Sequence, residues 1–468
     1  MLFNSLIFTV FLPLVFIIYW ITPSKYRNYF LLLASYYFYY SYNPWFLLLL
    51  IGTSGIDYFL ARKISTTEKQ KNKKIFLVLS LVSNLGVLFI FKYFVFAYNS
   101  SVEIFNLKSS ILNQFIIPAG LSFYTFQSLS YTIDVYRGKY KADDKFSDFL
   151  LFVSFFPHMV AGPIVRYSDL MPQFKIVTYF KNINWQQFAT LVIWGYFKKL
   201  VIADNLNLIV TPVFNNVNAF TGFELLVAGF LFVIQVYCDF SGYSDIATGV
   251  AKLFNINLTL NWRRPLFSRS LHEFWQRNHI SITTWFRDYL YIGLGGSRVS
   301  YSRWILNIFL VFVISGFWHG ANFTFIIWGT LHGVFYILEI FLCKKFPNIK
   351  VPALLGHLYL LGFHTISLIA FRAKNITDLK YIYHKLFSTE LLNFSINTFL
   401  NYQDRLYFFF MFFVIGILFI KELNEEYAIV NKYQKTYAVL KPLAFILFVV
   451  LIFILGNFSA NTFIYFQF

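Results

Sequence analysis

The sequence predicts an all-α, polytopic integral membrane protein, with roughly eleven to thirteen membrane helices, re-entrant or tilted segments among them, around a central tunnel. Three observations lead there. Apolar runs long enough to cross a bilayer recur along the whole chain. Hydrophobic residues make up 58% and charged residues only 13% of the 468, more apolar surface than a soluble core can hide. The formal net charge of +18 falls in short loops between those runs. That pattern orients a membrane protein, so the lipid bilayer is the expected partner and nucleic acid is not.

The runs follow in order. Leu2 to Ile21 starts at once and lacks both a basic leading region and a small-residue cleavage site before Thr22-Pro23-Ser24-Lys25. It reads as a retained spanning helix and not as a signal peptide. Further runs cover roughly 28–41, 44–61, 75–98 and 114–136. The loops between them alternate in charge. Lys25 and Arg27 lie in the first, the loop at Asn43-Pro44 has none, and Arg62, Lys63, Lys69, Lys71, Lys73 and Lys74 crowd the next. Asn99 to Asn113 is nearly neutral, and Arg137, Lys139 and Lys141 follow. The cytoplasmic preference of Lys and Arg places 22–27, 62–74 and 137–145 inside and the N-terminus outside.

The middle is less regular. Segments near 148–163, 186–203 and 223–253 are apolar but interrupted by Pro157, Gly162, Pro163, Gly242 and aspartates. Broken helices of this kind are tolerated only where protein or a cavity shields them from lipid. A polar, basic stretch runs from about 262 to 303. Apolar runs resume near 304–317, 322–342, 352–371, 405–420 and 438–457, with Lys421, Lys432 and Lys435 in the last cytoplasmic loop and the C-terminus outside. The chain reads as one domain over 1–468, with peripheral helices in 1–110, a core at about 114–372 and C-terminal helices and tail in 400–468. The two cysteines, Cys238 and Cys343, imply no disulfide framework.

Ionisable groups inside apolar sequence are costly, so each is a candidate for function. The first cluster is Tyr237-Cys-Asp-Phe-Ser-Gly-Tyr-Ser-Asp245, where Asp239, Ser241 and Asp245 all need partners. They form either a hydrogen-bond network, with Gly242 allowing a bend and arginines as counter-ions, or the wall of a polar tunnel. The second runs from Glu273 to Arg298 and holds His279, Arg287 and Asp288 among tryptophans and a Gly-rich turn. His272 and His279 are seven apart, so they share one helical face. No third ligand has suitable spacing, so no metal is expected. An amphipathic helix at the membrane interface explains the same composition.

The third cluster is Ser315-Gly-Phe-Trp-His319-Gly-Ala-Asn322, closing an apolar run. An imidazole there can take and return a proton near neutral pH, while Gly316 and Gly320 let backbone or substrate approach closely. A histidine bonded between helices is the plainer reading. His332, in Leu-His-Gly, and His158, after Pro157, read first as packing residues, and His357, His364 and His384 carry no further signal.

The order of these clusters resembles the membrane-bound O-acyltransferase family, in particular the bacterial branch that serves alginate and peptidoglycan O-acetylation. The similarity includes the opening Leu-Phe-Asn-Ser, Ala119-Gly-Leu-Ser-Phe-Tyr-Thr-Phe-Gln127 and Phe156-Pro-His-Met-Val-Ala-Gly-Pro-Ile164, besides the three clusters. It departs from the branch at Gln276 and Asn278. The resemblance implies that His319 is the catalytic histidine and His279 the second one. It implies Trp318, Asp239, Ser241, Arg287, Asp288 and Asn322 as tunnel or substrate-binding positions. The ending Phe463-Ile-Tyr-Phe-Gln-Phe468 is similar to that of the branch, which makes Tyr465 a candidate acyl relay. A plain aromatic anchor at the interface is the alternative there.

By the same resemblance the donor is acetyl-CoA, without a metal, and an extracytoplasmic acyltransferase partner places the acetyl group on a polysaccharide. The expected acceptor is peptidoglycan, with an alginate-like exopolysaccharide as the alternative, in a bacterial inner membrane. A transporter or flippase of lipid-linked sugars is the rival from another class.

Overall fold

The computed structural model describes residues 1–105, 117–143, 145–349, 351–402, 405–427 and 434–458. Among these the regular structure is entirely helical. Seven helices are long and apolar enough to cross a membrane, and Leu6–Ile21 and Pro442–Leu455 are shorter apolar helices. The chain is therefore an all-α, multi-pass membrane protein. The other segments read as apolar runs form short or broken helices, as around 148–163, where Phe146–Ser154 ends and Phe156–Met159 follows after a turn at Phe155. Pro157 there enters the first turn of the new helix, the one helical place where its missing N–H costs nothing.

The chain divides into two compact units, one of residues 1–192 and 243–260, the other of 193–242 and 261–468. In the first unit the helix starts are set locally. Ser5 Oγ accepts from Phe8 N–H at 3.3 Å, and Asn43 Oδ1 accepts from Trp45 N–H at 2.9 Å ahead of Pro44. Leu121–Tyr136 is buried almost all round in spite of its Ser, Thr, Gln and Asp content. Its polar groups find partners: Gln127 Nε2 donates to Phe152 O at 2.6 Å, and Ser128 Oγ donates to Asp57. Asp57 also accepts from Ser80 Oγ at 2.6 Å and Asn84 Nδ2 at 2.8 Å, so two neighbouring helices converge on one carboxylate.

The second unit corrects two expectations. Gly222–Lys252 is one continuous helix of 31 residues, so Gly242 does not interrupt it. Its role is close approach, since a Cβ there would stand 2.8 Å from Gly195 O. The stretch 262–303 is not one amphipathic helix. Leu271–Arg277 ends at Asn278, His279 takes the left-handed conformation at φ 44°, and Ile280–Trp285 starts afresh. Ile280 N–H donates to Asn261 O and Arg263 N–H to Arg277 O, which pins the turn from the preceding strand of chain. His272 and His279 therefore do not share a helical face.

Candidate functional site

The site lies wholly within the second unit. Its two principal histidines are set by backbone. His319 is the last residue of the helix Tyr301–His319, and Gly320 turns the chain into the helix Phe323–Lys345. These two helices pack backbone to backbone because glycines face each other. A Cβ on Gly316 would stand 2.3 Å from Phe325 O, and one on Gly329 would stand 2.4 Å from Phe312 O. A Cβ on Gly320 would meet the Phe325 ring at 2.1 Å. The glycines around His319 thus serve the helix hairpin that aims it, not the approach of substrate.

His319 is buried, with Trp318, Trp328 and Phe371 rings 4.9, 5.1 and 5.3 Å away. His279 is buried between Trp262 and Phe240, at 5.4 and 5.9 Å. Its Nδ1 lies 3.2 Å from Asn261 Oδ1, which also accepts from Ser281 N–H. An oxygen already accepting can only accept again, so Nδ1 carries the proton and Nε2 the lone pair. Burial pushes this imidazole, in the connection between apolar helices, down to about 3, which keeps it neutral. A non-glycine residue at positive φ costs on the order of 1 kcal/mol, and such strain concentrates at functional sites.

Both histidines line one cavity of about 790 Å³. Its wall is mostly aromatic and aliphatic. Among the described residues five histidines stand in it (His272, His279, His319, His332 and His364), and Arg287 is the only Lys, Arg, Asp or Glu. Among the described residues no group of three His, Cys, Asp or Glu is placed to hold a metal ion. Arg287 is mostly exposed and pairs with Asp288 at 2.8 Å.

The remaining sequence candidates fall outside that wall. Trp318 packs behind His319 against Phe286 at 6.0 Å. Asn322 caps the helix Phe323–Lys345, accepting from Thr324 N–H at 3.1 Å and donating to Lys374 O at 2.8 Å. Asp239 pairs with Lys199 at 2.5 Å, and Asp204 with the same ammonium at 2.9 Å. Ser241 Oγ accepts from Lys198 Nζ at 2.9 Å. The counter-ion of Asp239 is thus Lys199, a lysine of the segment Phe197–Ala203, and not one of the expected arginines. Two lysines inside an apolar run were the signal that could have marked them. Tyr465 lies outside the described residues. Sequence reasoning also passed over Asn261, whose carbonyl sets the His279 tautomer, and His364, Trp275 and Trp328, which share the cavity wall.

The description MBOAT, membrane-bound O-acyltransferase family, matches residues 143–382, which include every histidine of the cavity. A probable alginate O-acetylase AlgI of Pseudomonas aeruginosa is 38% identical over 394 residues, covering 83% of this chain and 75% of its own. A peptidoglycan O-acetyltransferase of Helicobacter pylori is 34% identical over 415 residues, covering 80% and 78%. A teichoic acid D-alanyltransferase of Streptococcus thermophilus is 27% identical over 237 residues, covering 47% and 56%.

Proposed function

Because the chain belongs to the membrane-bound O-acyltransferase family, we propose that it takes an acetyl group from acetyl-CoA on the cytoplasmic side and delivers it for O-acetylation of a cell-envelope polysaccharide. The observation that carries this reading is the single cavity whose wall holds His279 and His319, forty residues apart in sequence.

The wall suits an acyl thioester. It is apolar over most of its area, roomy enough for an extended arm, and has imidazoles where a carbonyl group can react. Acetyl-CoA, when bound, supplies the activated acyl carbon. His319 takes the proton of the attacking hydroxyl, the new C–O bond forms as the C–S bond breaks, and the proton passes to the departing sulfur. His279 stands opposite as a hydrogen-bonding partner for the reacting groups, held by Asn261. Arg287, at the exposed end of the wall, draws an anionic donor toward it.

Tyr465 receives the acetyl group and hands it to an extracytoplasmic acyltransferase, which esterifies the polysaccharide. The cytoplasmic loops rich in Lys and Arg put both termini outside a bacterial inner membrane, and the chain acts as one domain. Peptidoglycan is the acceptor we favour. A secreted, alginate-like polymer is the second reading, and four alginate O-acetylase relatives at 36–39% identity support it.

The experiment is the release of acetate by mild base from purified cell wall and from secreted polysaccharide. Wild type, a deletion strain and His319→Ala are compared at matched expression. Loss of ester acetate from one polymer in both mutants identifies the acceptor, and full acetylation in His319→Ala refutes the catalytic assignment. Tyr465→Phe is expected to abolish polysaccharide acetylation in a folded protein, and unchanged acetylation sinks the relay.

A further inference from the structure

The turn that carries His279 is tied to a helix outside the family match, which ends at residue 382. That helix is Arg405–Tyr427, and Glu426 stands in its last turn. Two different arginines take the two oxygens of its carboxylate. Arg264 Nε donates to Oε2 at 2.8 Å, and Arg277 Nη1 donates to Oε1 at 2.7 Å. These arginines belong to the two stretches of chain that meet beside His279. Arg263 N–H donates to Arg277 O at 2.9 Å and Ile280 N–H to Asn261 O at 2.8 Å, so the stretches lie side by side. Trp262, Pro265, Gln276, Asn278 and His279 line the cavity, whereas Arg264 and Arg277 do not. The same stretches thus present neighbouring residues to the cavity and both guanidiniums to one carboxylate. One turn earlier on the helix, Glu422 accepts from Tyr237 Oη at 2.5 Å. The Tyr237 ring lies 6.0 Å from Trp262, which is itself 5.4 Å from His279. The helix therefore reaches the surroundings of His279 at two places.

The backbone shows what needs holding. Among the described residues three non-glycine residues have positive φ, and two of them are Arg264 at 46° and His279 at 44°. Left-handed backbone is unfavourable for both and persists only where the surroundings over-determine it. The two backbone bonds set the spacing of the stretches, and Glu426 adds a tie from a different element. Half-buried ion pairs contribute little net stability, because desolvation offsets most of the attraction. Loss of Glu426 would also leave each arginine a second carboxylate. Arg277 Nη2 pairs with Glu273 at 2.6 Å, and Arg264 Nη1 with Glu425 at 3.6 Å. What a charge-assisted bond from a planar guanidinium does supply is direction.

We infer that Glu426 is a positioning residue for His279: by gripping Arg264 and Arg277 at once, its carboxylate keeps the left-handed turn and aims the imidazole into the cavity. This assignment rests on the acyl-transfer reading for its effect on activity. It gives the helix Arg405–Tyr427 a part in catalysis without contact to the reacting atoms.

The first readout is the His279 ring itself, by magic-angle spinning NMR of purified, isotope-labelled-histidine protein in lipid bilayers. The His279 signals are those lost in His279→Gln, and wild type is expected to show a single tautomer protonated at Nδ1. Glu426→Ala is expected to shift these signals or split them between two tautomers, with those of His319 and His332 unmoved. Glu426→Gln keeps the shape and one acceptor oxygen, so an intermediate effect is expected, and it serves if Glu426→Ala fails to fold. Unmoved His279 signals in the folded variants overturn the inference. Equal shifts in all histidines mean a general loosening and overturn it as well. The second readout is polymer ester acetate at matched expression, expected to fall about tenfold in Glu426→Ala and less in Glu426→Gln. Full acetylation in Glu426→Ala refutes a part in catalysis. If His319→Ala also keeps full acetylation, the acyl-transfer reading has failed, while the NMR signals still decide whether Glu426 aims His279. The two failures are therefore distinguishable.

Discussion

Asp57 in the first unit and His332 in the second are equally deep in apolar helices, yet their polar atoms are treated in opposite ways. Asp57 is fully buried and accepts hydrogen bonds from Ser80, Asn84 and Ser128. His332 is 1% exposed and receives none among the described residues. The difference teaches how to read polar groups at membrane depth. A group whose valences are all met by its own chain is holding helices together. A group whose valences are unmet beside a cavity is not.

Four variants press on that comparison, from the largest expected effect to the smallest. Asn261→Leu removes the acceptor that fixes His279, and acetyl transfer should fall about 10- to 100-fold, while the stranded Ser281 N–H should cost about 1–3 kcal/mol in thermal unfolding. Unchanged turnover would mean that the backbone turn alone orients the ring. Asp57→Ala leaves two hydroxyls and an amide stranded, and should destabilise the protein by about 3 kcal/mol or more in thermal unfolding, with normal turnover in the folded fraction. A loss of turnover without a loss of stability would make Asp57 functional and break the contrast. Asn322→Ala deletes a helix cap and should cost about 1 kcal/mol without altering donor affinity. His332→Phe should change thermal stability least, within about 1 kcal/mol, because no internal bond is lost. A large destabilisation would place His332 with Asp57.

Much of this protein was legible in its residues. The apolar runs, the scarcity of charge and the loop lysines set a polytopic helical fold, because a bilayer leaves an exposed chain few other ways to satisfy its backbone. The apolar composition also marked His319 and His279 as costly and therefore interesting. The tertiary structure alone decided how those residues are used. Local pattern allowed a continuous helix from His272 to His279, and long-range bonds from Asn261 and Arg263 broke it. Glycine at 242 could have meant a break, and only the approach of Gly195 shows that it means close packing inside an uninterrupted helix. Asp239 needed a counter-ion, and which cation reached it depended on the path of the segment Phe197–Ala203. His332 read as an ordinary packing residue in one dimension, and His364 carried no signal there. Whether a buried histidine is satisfied is a property of its neighbours in space, and sequence distance carries no information about them.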